Sequence, residues 1–303
     1  MFDTIDGVRS GLLAHRYLAD RALATIIFLA IKLGKPLFLE GEAGVGKTEV
    51  AKVLSSALDT RLIRLQCYEG LDVHSAIYEW AYARQILHLR LLEASGADRH
   101  EMEKDLYSRE FLLARPLLQA IENNEHPPCG NRGLPQAPVL LIDEIDRADE
   151  EFESFLLEIL SDFQITIPEI GTIRAGRPPV VVITSNRTRE VHDALKRRCL
   201  YHWIDYPSFE TELQIVMLKA PGVSERLSYQ VTSVAQALRQ EDLYKPPGVA
   251  ETLDWATALV AMGCDELDES TINDTLGVLL KYQEDVQQVR NSSPGLLKKA
   301  HVC

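Results

Sequence analysis

A glycine-rich segment near the N-terminus has the residue types and spacing needed to bind a phosphate group. Residues 41–48, GEAGVGKT, fit the pattern GxxxxGK[ST], in which glycines let backbone N–H groups wrap a phosphate. A helical pattern follows, and a helix N-terminus would add positive potential. We expect Lys47 to reach the β- and γ-phosphates of ATP and Thr48 to ligate Mg²⁺; the alternative is a glycine-rich turn with an incidental lysine. The candidate nucleotide-binding residues are Gly41, Glu42, Ala43, Gly44, Val45, Gly46, Lys47, Thr48 and Glu49.

Two acids, Asp143 and Glu144, follow the apolar run 139–142. Ligands of open α/β sheets bind at the carboxyl ends of the strands, so we expect both acids to face the phosphate-binding segment. Asp143 would hold Mg²⁺ together with Thr48, partly through water, and Glu144 would polarise the attacking water as the general base. The alternative is a solvated acidic cap on the next helix, since residues 149–151 are acidic as well.

Polar and basic residues further along could complete such a site. Asn186 ends a predicted strand and could hydrogen-bond the attacking water or the γ-phosphate, although a strand-end Asx turn is the competing interpretation. Lys196, Arg197 and Arg198 follow a short helix. They could simply complement the helix dipole, but in an oligomer an arginine at this position could reach the γ-phosphate of a neighbouring subunit.

The elements that must position these residues follow an α/β pattern. Short apolar runs alternate with helical patterns, which predicts βαβ units and a parallel sheet covered on both faces. The predicted strands are 36–40, 61–66, 139–143, 180–184 and 200–204, and the predicted helices include 11–33 and 48–58.

Two segments interrupt this alternation. Residues 67–138 are long for one crossover and include a loop at 123–135 that is rich in Pro, Gly and Asn, whereas residues 163–174 predict an inserted β-hairpin. Either segment could face a protein client, or the insert could be a local hydrophobic cluster that covers the core. The aromatic residues of the insert are Tyr68, Tyr78, Trp80 and Tyr82.

The strand signal ends at Pro207, and residues 208–290 have helical patterns. We therefore predict two domains, an α/β nucleotide-binding domain over residues 1–207 and a small all-helical lid domain over residues 208–303.

Composition excludes several classes of protein. The chain has 303 residues, 46% hydrophobic and 25% charged, and a formal net charge of −13; this charge argues against bulk nucleic-acid binding. No apolar run is long enough to span a membrane and no secretory signal is evident, so a cytoplasmic location is expected. Five cysteines without a CxxC pair and eight histidines without HExxH give no support for a disulfide framework or a protein-built metal site.

The order and spacing of these motifs resemble the AAA+ ATPases, specifically their MoxR branch. The resemblance rests on the segments 41–48, 139–146, 184–186 and 194–198, together with the hairpin, the insert before it and the helical C-terminal part. It implies a P-loop NTPase fold and a nucleotide-dependent remodelling machine that forms a ring, usually hexameric. Such proteins often act with a von Willebrand A-domain partner that inserts or activates a metal centre. Within the branch, the chain looks most like the AAA+ factors that mature molybdenum-containing carbon monoxide dehydrogenase.

The resemblance also implies roles for individual residues. Lys47 and Thr48 match the Walker A lysine and threonine, Asp143 and Glu144 match the Walker B acids, and Asn186 matches sensor 1. Arg197 aligns best with the arginine finger, with Arg198 as a close competitor, and residues 17–20 match a segment that contacts adenine. The departure lies just after Gly248, where the sequence VAET has no basic residue to serve as the sensor 2 arginine.

Three functions remain open at this level. The first is ATP hydrolysis that remodels a protein client, such as a metalloenzyme during maturation. The second is a slow nucleotide-gated switch for a partner protein, suggested by the missing sensor 2 arginine. The third is a nucleic-acid motor, which the overall charge disfavours although Arg174 and Arg177 lie in or near the hairpin.

Overall fold

The computed structural model describes residues 2–95, 106–122 and 137–290. The proline- and glycine-rich loop at 123–135 therefore lies outside the described residues. Within them, no helix is both long and apolar enough to cross a membrane.

A five-stranded sheet lies at the centre of the α/β part, in the order β2-β5-β8-β1-β9. The pairs β2–β5, β5–β8 and β8–β1 are parallel. Strands β1 and β5 are buried along their whole length, as the continuous apolar runs of a sheet covered on both faces require. The predicted α/β P-loop NTPase fold is confirmed. The strands of the described residues are β1 Leu37–Gly41, β2 Leu62–Gln66, β3 Tyr78–Trp80, β4 Leu112–Ala114, β5 Val139–Asp143, β6 Gln164–Ile167, β7 Gly171–Arg174, β8 Val180–Ser185 and β9 Leu200–Ile204.

The helices cover the α/β part and make up most of the C-terminal region. A further helical stretch occupies residues 283–290, and short 3₁₀ turns lie at Arg109–Phe111 and Ile145–Arg147. The other helices of the described residues are α1 Ile5–Ala14, α2 Arg21–Leu33, α3 Lys47–Ala57, α4 Val73–Ile77, α5 Tyr82–Ser95, α6 Pro116–Ile121, α7 Glu150–Asp162, α8 Asp193–Arg198, α9 Phe209–Lys219, α10 Glu225–Leu238, α11 Val249–Ala261 and α12 Glu269–Leu279.

The single helix predicted over residues 11–33 is wrong, because the chain forms two helices there. The first ends where Arg16 takes a left-handed φ of 60° and Tyr17 N–H donates to Leu12 O at 3.0 Å. This closure satisfies a terminal carbonyl of α1. The apolar residues on both sides of the break hide it from a periodicity argument.

The insert contains a second, two-stranded sheet that the sequence did not predict, formed by β3 and β4 in antiparallel register. Trp80 is buried and meets both Tyr78 and Tyr107 edge-to-face, whereas Tyr68 and Tyr82 are exposed. The aromatic residues thus divide into a packed pair and an exposed pair. A client-facing role for them stays a prediction.

The hairpin predicted at 163–174 is confirmed as β6 and β7 in antiparallel register. Ile165 and Ile167 are buried in the core of the α/β part, which anchors one face of the hairpin. Thr166 and Thr172 lie on the exposed face and their hydroxyls are 3.0 Å apart.

The chain divides into two compact units. The core of the first lies around Phe38, Leu140 and Phe152, and the core of the second lies around Val231 and the fully buried Trp255. The first unit comprises Met1–Gly11, Arg21–Glu40 and Thr48–His202, and the second comprises Leu12–Asp20, Gly41–Lys47 and Trp203–Cys303. The predicted domain boundary near Pro207 stays a prediction.

Candidate functional site

The loop from Gly41 to Lys47 holds its own lysine against its carbonyl oxygens. Lys47 Nζ donates to Gly41 O at 2.8 Å and to Glu42 O at 2.6 Å, and Lys47 is 5% exposed. Gly44 and Gly46 have φ values of +79° and +96°, which glycine adopts without strain. The shape of the loop therefore depends on its glycines, as the motif predicts.

In the same unit, the start of α11 contacts this loop. Ala250 N–H donates to Gly44 O at 3.1 Å, and Gly248 N–H donates to Glu251 Oε2 at 3.1 Å. A Cβ atom built on Gly44 would lie 2.7 Å from Glu251 Oε2. A carboxylate therefore lies beside the loop, in the segment where the resemblance implies an arginine.

Arg239, the residue that follows helix α10, has a buried side chain that is hydrogen-bonded within its own unit. Its guanidinium donates twice to Glu212, at 2.6 Å in each case, and its Nε donates to Pro247 O at 2.7 Å. Thr252 Oγ1 donates to Glu212 Oε1 at 2.9 Å. This network fixes the first turn of α11, whose N-terminus contacts Gly44.

The segment 17–20, predicted to contact adenine, lies next to the same loop. Tyr17 is 9% exposed, and its Cε2 lies 3.8 Å from a Cβ atom built on Gly46. Lys219 Nζ lies 5.9 Å from the centroid of the Tyr17 ring. An adenine contact stays a prediction.

In the first unit, Asp143 is the centre of a buried polar cluster. Its Oδ1 accepts hydrogen bonds from Thr48 Oγ1 at 2.9 Å and from Thr184 Oγ1 at 2.6 Å. Its Oδ2 accepts from Arg64 Nε at 3.0 Å and from Arg64 Nη2 at 2.6 Å, and its side chain is 2% exposed. The fold thus joins the two predicted Mg²⁺-binding residues, Thr48 and Asp143, across 95 positions of sequence.

Glu144 follows in a left-handed conformation, with φ 56° and ψ 52°. Its N–H donates to Thr184 Oγ1 at 3.0 Å, and its Oε2 accepts from Gln66 Nε2 at 3.1 Å. Arg147 Nε lies 3.5 Å from the same carboxylate, which is one-third exposed. The predicted general base is therefore held by an amide from the neighbouring strand and lies near an arginine.

Asn186 lies at the carboxyl end of β8, in a turn anchored to the segment that follows Asp143. Its N–H donates to Asp146 Oδ1 at 3.2 Å, and Thr188 N–H donates to Asp146 Oδ2 at 2.9 Å. Burial alone would raise the pKa of Asp146, but the hydrogen bonds from Thr188 and Asn186 outweigh it and lower that pKa. Asp146 is thus held ionised as a structural acceptor, while the Asn186 amide has no hydrogen-bond partner among the described residues.

The two candidate finger arginines differ in their surroundings. Arg198 donates to Leu157 O and Ser161 Oγ on α7 of its own chain. Arg197 is 83% exposed and lies 4.0 Å from Asp193, one turn earlier on α8. The sequence could not distinguish these two neighbours. In the structure Arg197 is exposed to solvent, whereas Arg198 is hydrogen-bonded to α7.

Comparison with known proteins identifies the family. Residues 36–199 match the family described as the AAA domain, dynein-related subfamily, and this range covers more than half of the chain. The chain belongs to this AAA family. It is therefore a member of the AAA+ ATPases.

More specific similarities are weaker. An uncharacterized protein of Staphylococcus aureus strain bovine RF122 is 26% identical over 181 residues, and one of strain USA300 is 25% identical over 181 residues. The chain spans 57% of the length of these relatives, and the match covers 57% of the chain. The Thermotoga maritima RuvB Holliday junction branch migration motor is 16% identical, with a TM-score of 0.46 over 86% of this chain and 67% of that one.

The side chains at this site suit a Mg²⁺ ion bound together with a nucleoside triphosphate. Among the described residues no group of three His, Cys, Asp or Glu side chains could hold a metal. The Thr48 hydroxyl beside the Asp143 carboxylate instead offers the hard oxygen ligands suited to an ion that keeps waters and takes phosphate oxygens.

Sequence reasoning missed four partners of Asp143 and Glu144, namely Arg64, Gln66, Thr184 and Arg147. Only Arg64 and Gln66 had a feature in the sequence that could have indicated these contacts, and it was weak. Arg64 and Gln66 are polar residues two apart in a predicted strand, with the apolar Ile63 and Leu65 on the other face.

Proposed function

We propose that this AAA+ chain binds Mg²⁺-ATP and hydrolyses it to remodel a protein partner. The observation that carries the proposal is the hydrogen bond from Thr48 Oγ1 to Asp143 Oδ1, at 2.9 Å. Thr48 follows Lys47 directly in the chain, so a residue that binds phosphates is joined to a residue that can hold Mg²⁺. Neither half of the motif alone would distinguish a nucleotide site from a turn or an acidic cap.

The chain's residues divide the work of phosphoryl transfer. The backbone N–H groups of residues 41–47 and the Lys47 ammonium bind the β- and γ-phosphates, while Thr48 and Asp143 hold Mg²⁺, Asp143 partly through water. Mg²⁺, when bound, neutralises charge on the phosphate oxygens. Glu144 then orients and deprotonates the attacking water through an acceptor position of its carboxylate that the Gln66 amide does not occupy. Asn186 offers an amide to the water or the γ-phosphate.

We infer that Arg197 acts in a neighbouring subunit. An arginine finger must extend beyond its own chain, and Arg197 is 83% exposed, whereas Arg198 is bound to α7. This assignment requires a homo-oligomer, for which we propose a hexameric ring.

The finer role rests on the resemblance to the MoxR branch. We propose that the client is a metalloenzyme undergoing maturation or metal-centre assembly, and that a von Willebrand A-domain protein is the partner. The exposed Tyr68 and Tyr82 of the insert are our candidates for client contact.

A slow nucleotide-gated switch is the second candidate function. Two observations favour it, the carboxylate of Glu251 beside Gly44 and the amide of Gln66 bound to the general base. The Glu251 carboxylate provides no positive charge for the γ-phosphate, and the Gln66 amide restrains the base, so both favour slow hydrolysis. Steady-state turnover above roughly one per second, which is within the ordinary enzyme range, would exclude a pure switch.

The test compares Glu144→Gln with Glu158→Gln, a matched control at an exposed position of α7. Glu144→Gln should bind a fluorescent ATP analogue with Mg²⁺ as wild type does, yet turn over about 10²- to 10⁴-fold more slowly, the usual contribution of a general base. Glu158→Gln should retain wild-type turnover. Unchanged turnover in Glu144→Gln would remove Glu144 from its role, and a folded wild type without saturable ATP binding would refute the function itself.

A further inference from the structure

Arg64 lies on β2, the edge strand next to β5. Register pairs Arg64 with Leu141 and Gln66 with Asp143, so Arg64 is a diagonal neighbour of Asp143 on the same face of the sheet. The side chain is half exposed, yet its guanidinium reaches a carboxylate that is 2% exposed. The guanidinium of Arg64, on the edge strand, is therefore bound to Asp143, the acid that would hold Mg²⁺.

The hydrogen bonds of Asp143 leave no lone pair unused. A carboxylate offers about four acceptor positions. Thr48 and Thr184 occupy Oδ1, and the Nε and Nη2 groups of Arg64 occupy Oδ2. A Mg²⁺ ion or one of its waters can bind Oδ2 only if Arg64 yields at least one of these positions, and the two cations also repel each other at short range.

The same guanidinium also reaches the general base indirectly. Arg64 Nη2 donates to Gln66 Oε1 at 2.5 Å, which turns the amide nitrogen of Gln66 toward Glu144, where it donates to Oε2 at 3.1 Å. Departure of Arg64 would remove the bond that fixes this orientation. One side chain thus contacts the metal-binding acid and orients the amide that holds the base.

We propose that Arg64 is a positioning residue that competes with Mg²⁺ for Asp143 Oδ2, so that arrival of the metal displaces it and frees Gln66 from its fixed orientation. The proposal rests on the proposed function, because it concerns Mg²⁺ bound with ATP at Asp143. Displacement of Arg64 would thus make the side chains of the edge strand β2 respond to the binding of Mg²⁺-ATP.

The experiment is a Mg²⁺ titration of fluorescent ATP-analogue binding, followed by fluorescence rather than by turnover. Arg64→Gln should lower the Mg²⁺ concentration at half-saturation about tenfold, within the range of coupling between adjacent sites. Arg61→Gln is the matched control, since Arg61 carries the same charge and donates to Gln119 at 2.9 Å, away from Asp143; it should keep the wild-type midpoint. Arg64→Lys, which retains the charge, should stay closer to wild type than Arg64→Gln.

A measurement on the wild type makes the test independent of how the variants fold. The ¹⁵Nε–H resonance of Arg64, assigned by its loss in Arg64→Lys, should shift when Mg²⁺ is added to the ATP-analogue complex. An unchanged or higher Mg²⁺ midpoint in folded Arg64→Gln would overturn the proposal, and so would an Arg64 resonance that ignores Mg²⁺. If the wild type binds Mg²⁺-ATP but these results are not obtained, only the role of Arg64 is refuted. If the wild type shows no saturable binding, the proposed function is refuted.

Discussion

Replacing Gly248 with alanine should weaken nucleotide binding through a steric contact with the phosphate-binding loop. A Cβ atom built on Gly248 would lie 2.8 Å from Ala43 O and 2.9 Å from Gly44 Cα. Both contacts are to backbone, and the first lies about 0.6 Å inside the 3.4 Å of ordinary van der Waals contact. The φ of −79° and ψ of 178° at Gly248 suit alanine, so the cost is steric and not conformational.

The size of the effect follows from the contacts that must move. The hydrogen bond from Ala250 N–H to Gly44 O holds the start of α11 against the loop, so relief of the overlap must strain that bond or displace the loop. Overpacking costs about 1–3 kcal/mol. If about half of this free energy falls on the phosphate-binding conformation of the loop, the Kd for the ATP analogue should rise roughly twofold to twelvefold.

The assay is equilibrium titration with a fluorescent ATP analogue and Mg²⁺, with thermal melting run in parallel. Gly277→Ala is the control, because Gly277 lies within α12 and has no heavy atom within 4 Å of its built Cβ. That variant should bind like wild type and gain about 0.5–1 kcal/mol of stability from the removal of a helical glycine. Wild-type Kd and melting temperature in Gly248→Ala would refute the reasoning, as would equal loss of binding in Gly277→Ala.

Two further predictions concern the buried Arg239 and the two arginines at the end of α8, Arg197 and Arg198. Arg239→Met should lower the free energy of unfolding by about 3–5 kcal/mol, because it leaves the fully buried Glu212 carboxylate without its cation; urea denaturation followed by tryptophan fluorescence measures this loss, and Glu212→Leu combined with Arg239→Met should recover most of it. Arg197→Ala should reduce turnover at least 100-fold through loss of a finger while keeping the wild-type melting temperature, whereas Arg198→Ala should lower that temperature because it loses its bonds to α7. If turnover fell only in Arg198→Ala, Arg198 and not Arg197 would be the arginine finger.

The local features of this protein could be predicted because each is contiguous in sequence. The glycines, lysine and threonine at 41–48 specify a loop that opens a helix, and the run before Asp143 specifies a buried strand that ends in acids. The hairpin at 163–174 was predictable for the same reason, since turn residues and alternation are local. The break between α1 and α2 was not, because a left-handed residue such as Arg16 carries no composition signal of its own, unlike a glycine.

Residues far apart in sequence needed the tertiary structure. Only the parallel pairing of β2 with β5 places Arg64 and Gln66 against Asp143 and Glu144. Hydrophobic alternation fixes which face Arg64 and Gln66 share, but not which strand lies beside them. Likewise, only the packing of α8 against α7 separates Arg198, bound to its own chain, from Arg197, extended into solvent.

The amino-acid sequence by itself therefore determined the fold class, the strand ends and the glycine-rich loop that opens α3, because backbone propensity and side-chain periodicity act over a few residues. The partners of Asp143 and Glu144, and the carboxylate of Glu251 beside Gly44, were decided by strand register and helix placement. Those arise from the packing of the whole core, which no short window of sequence contains.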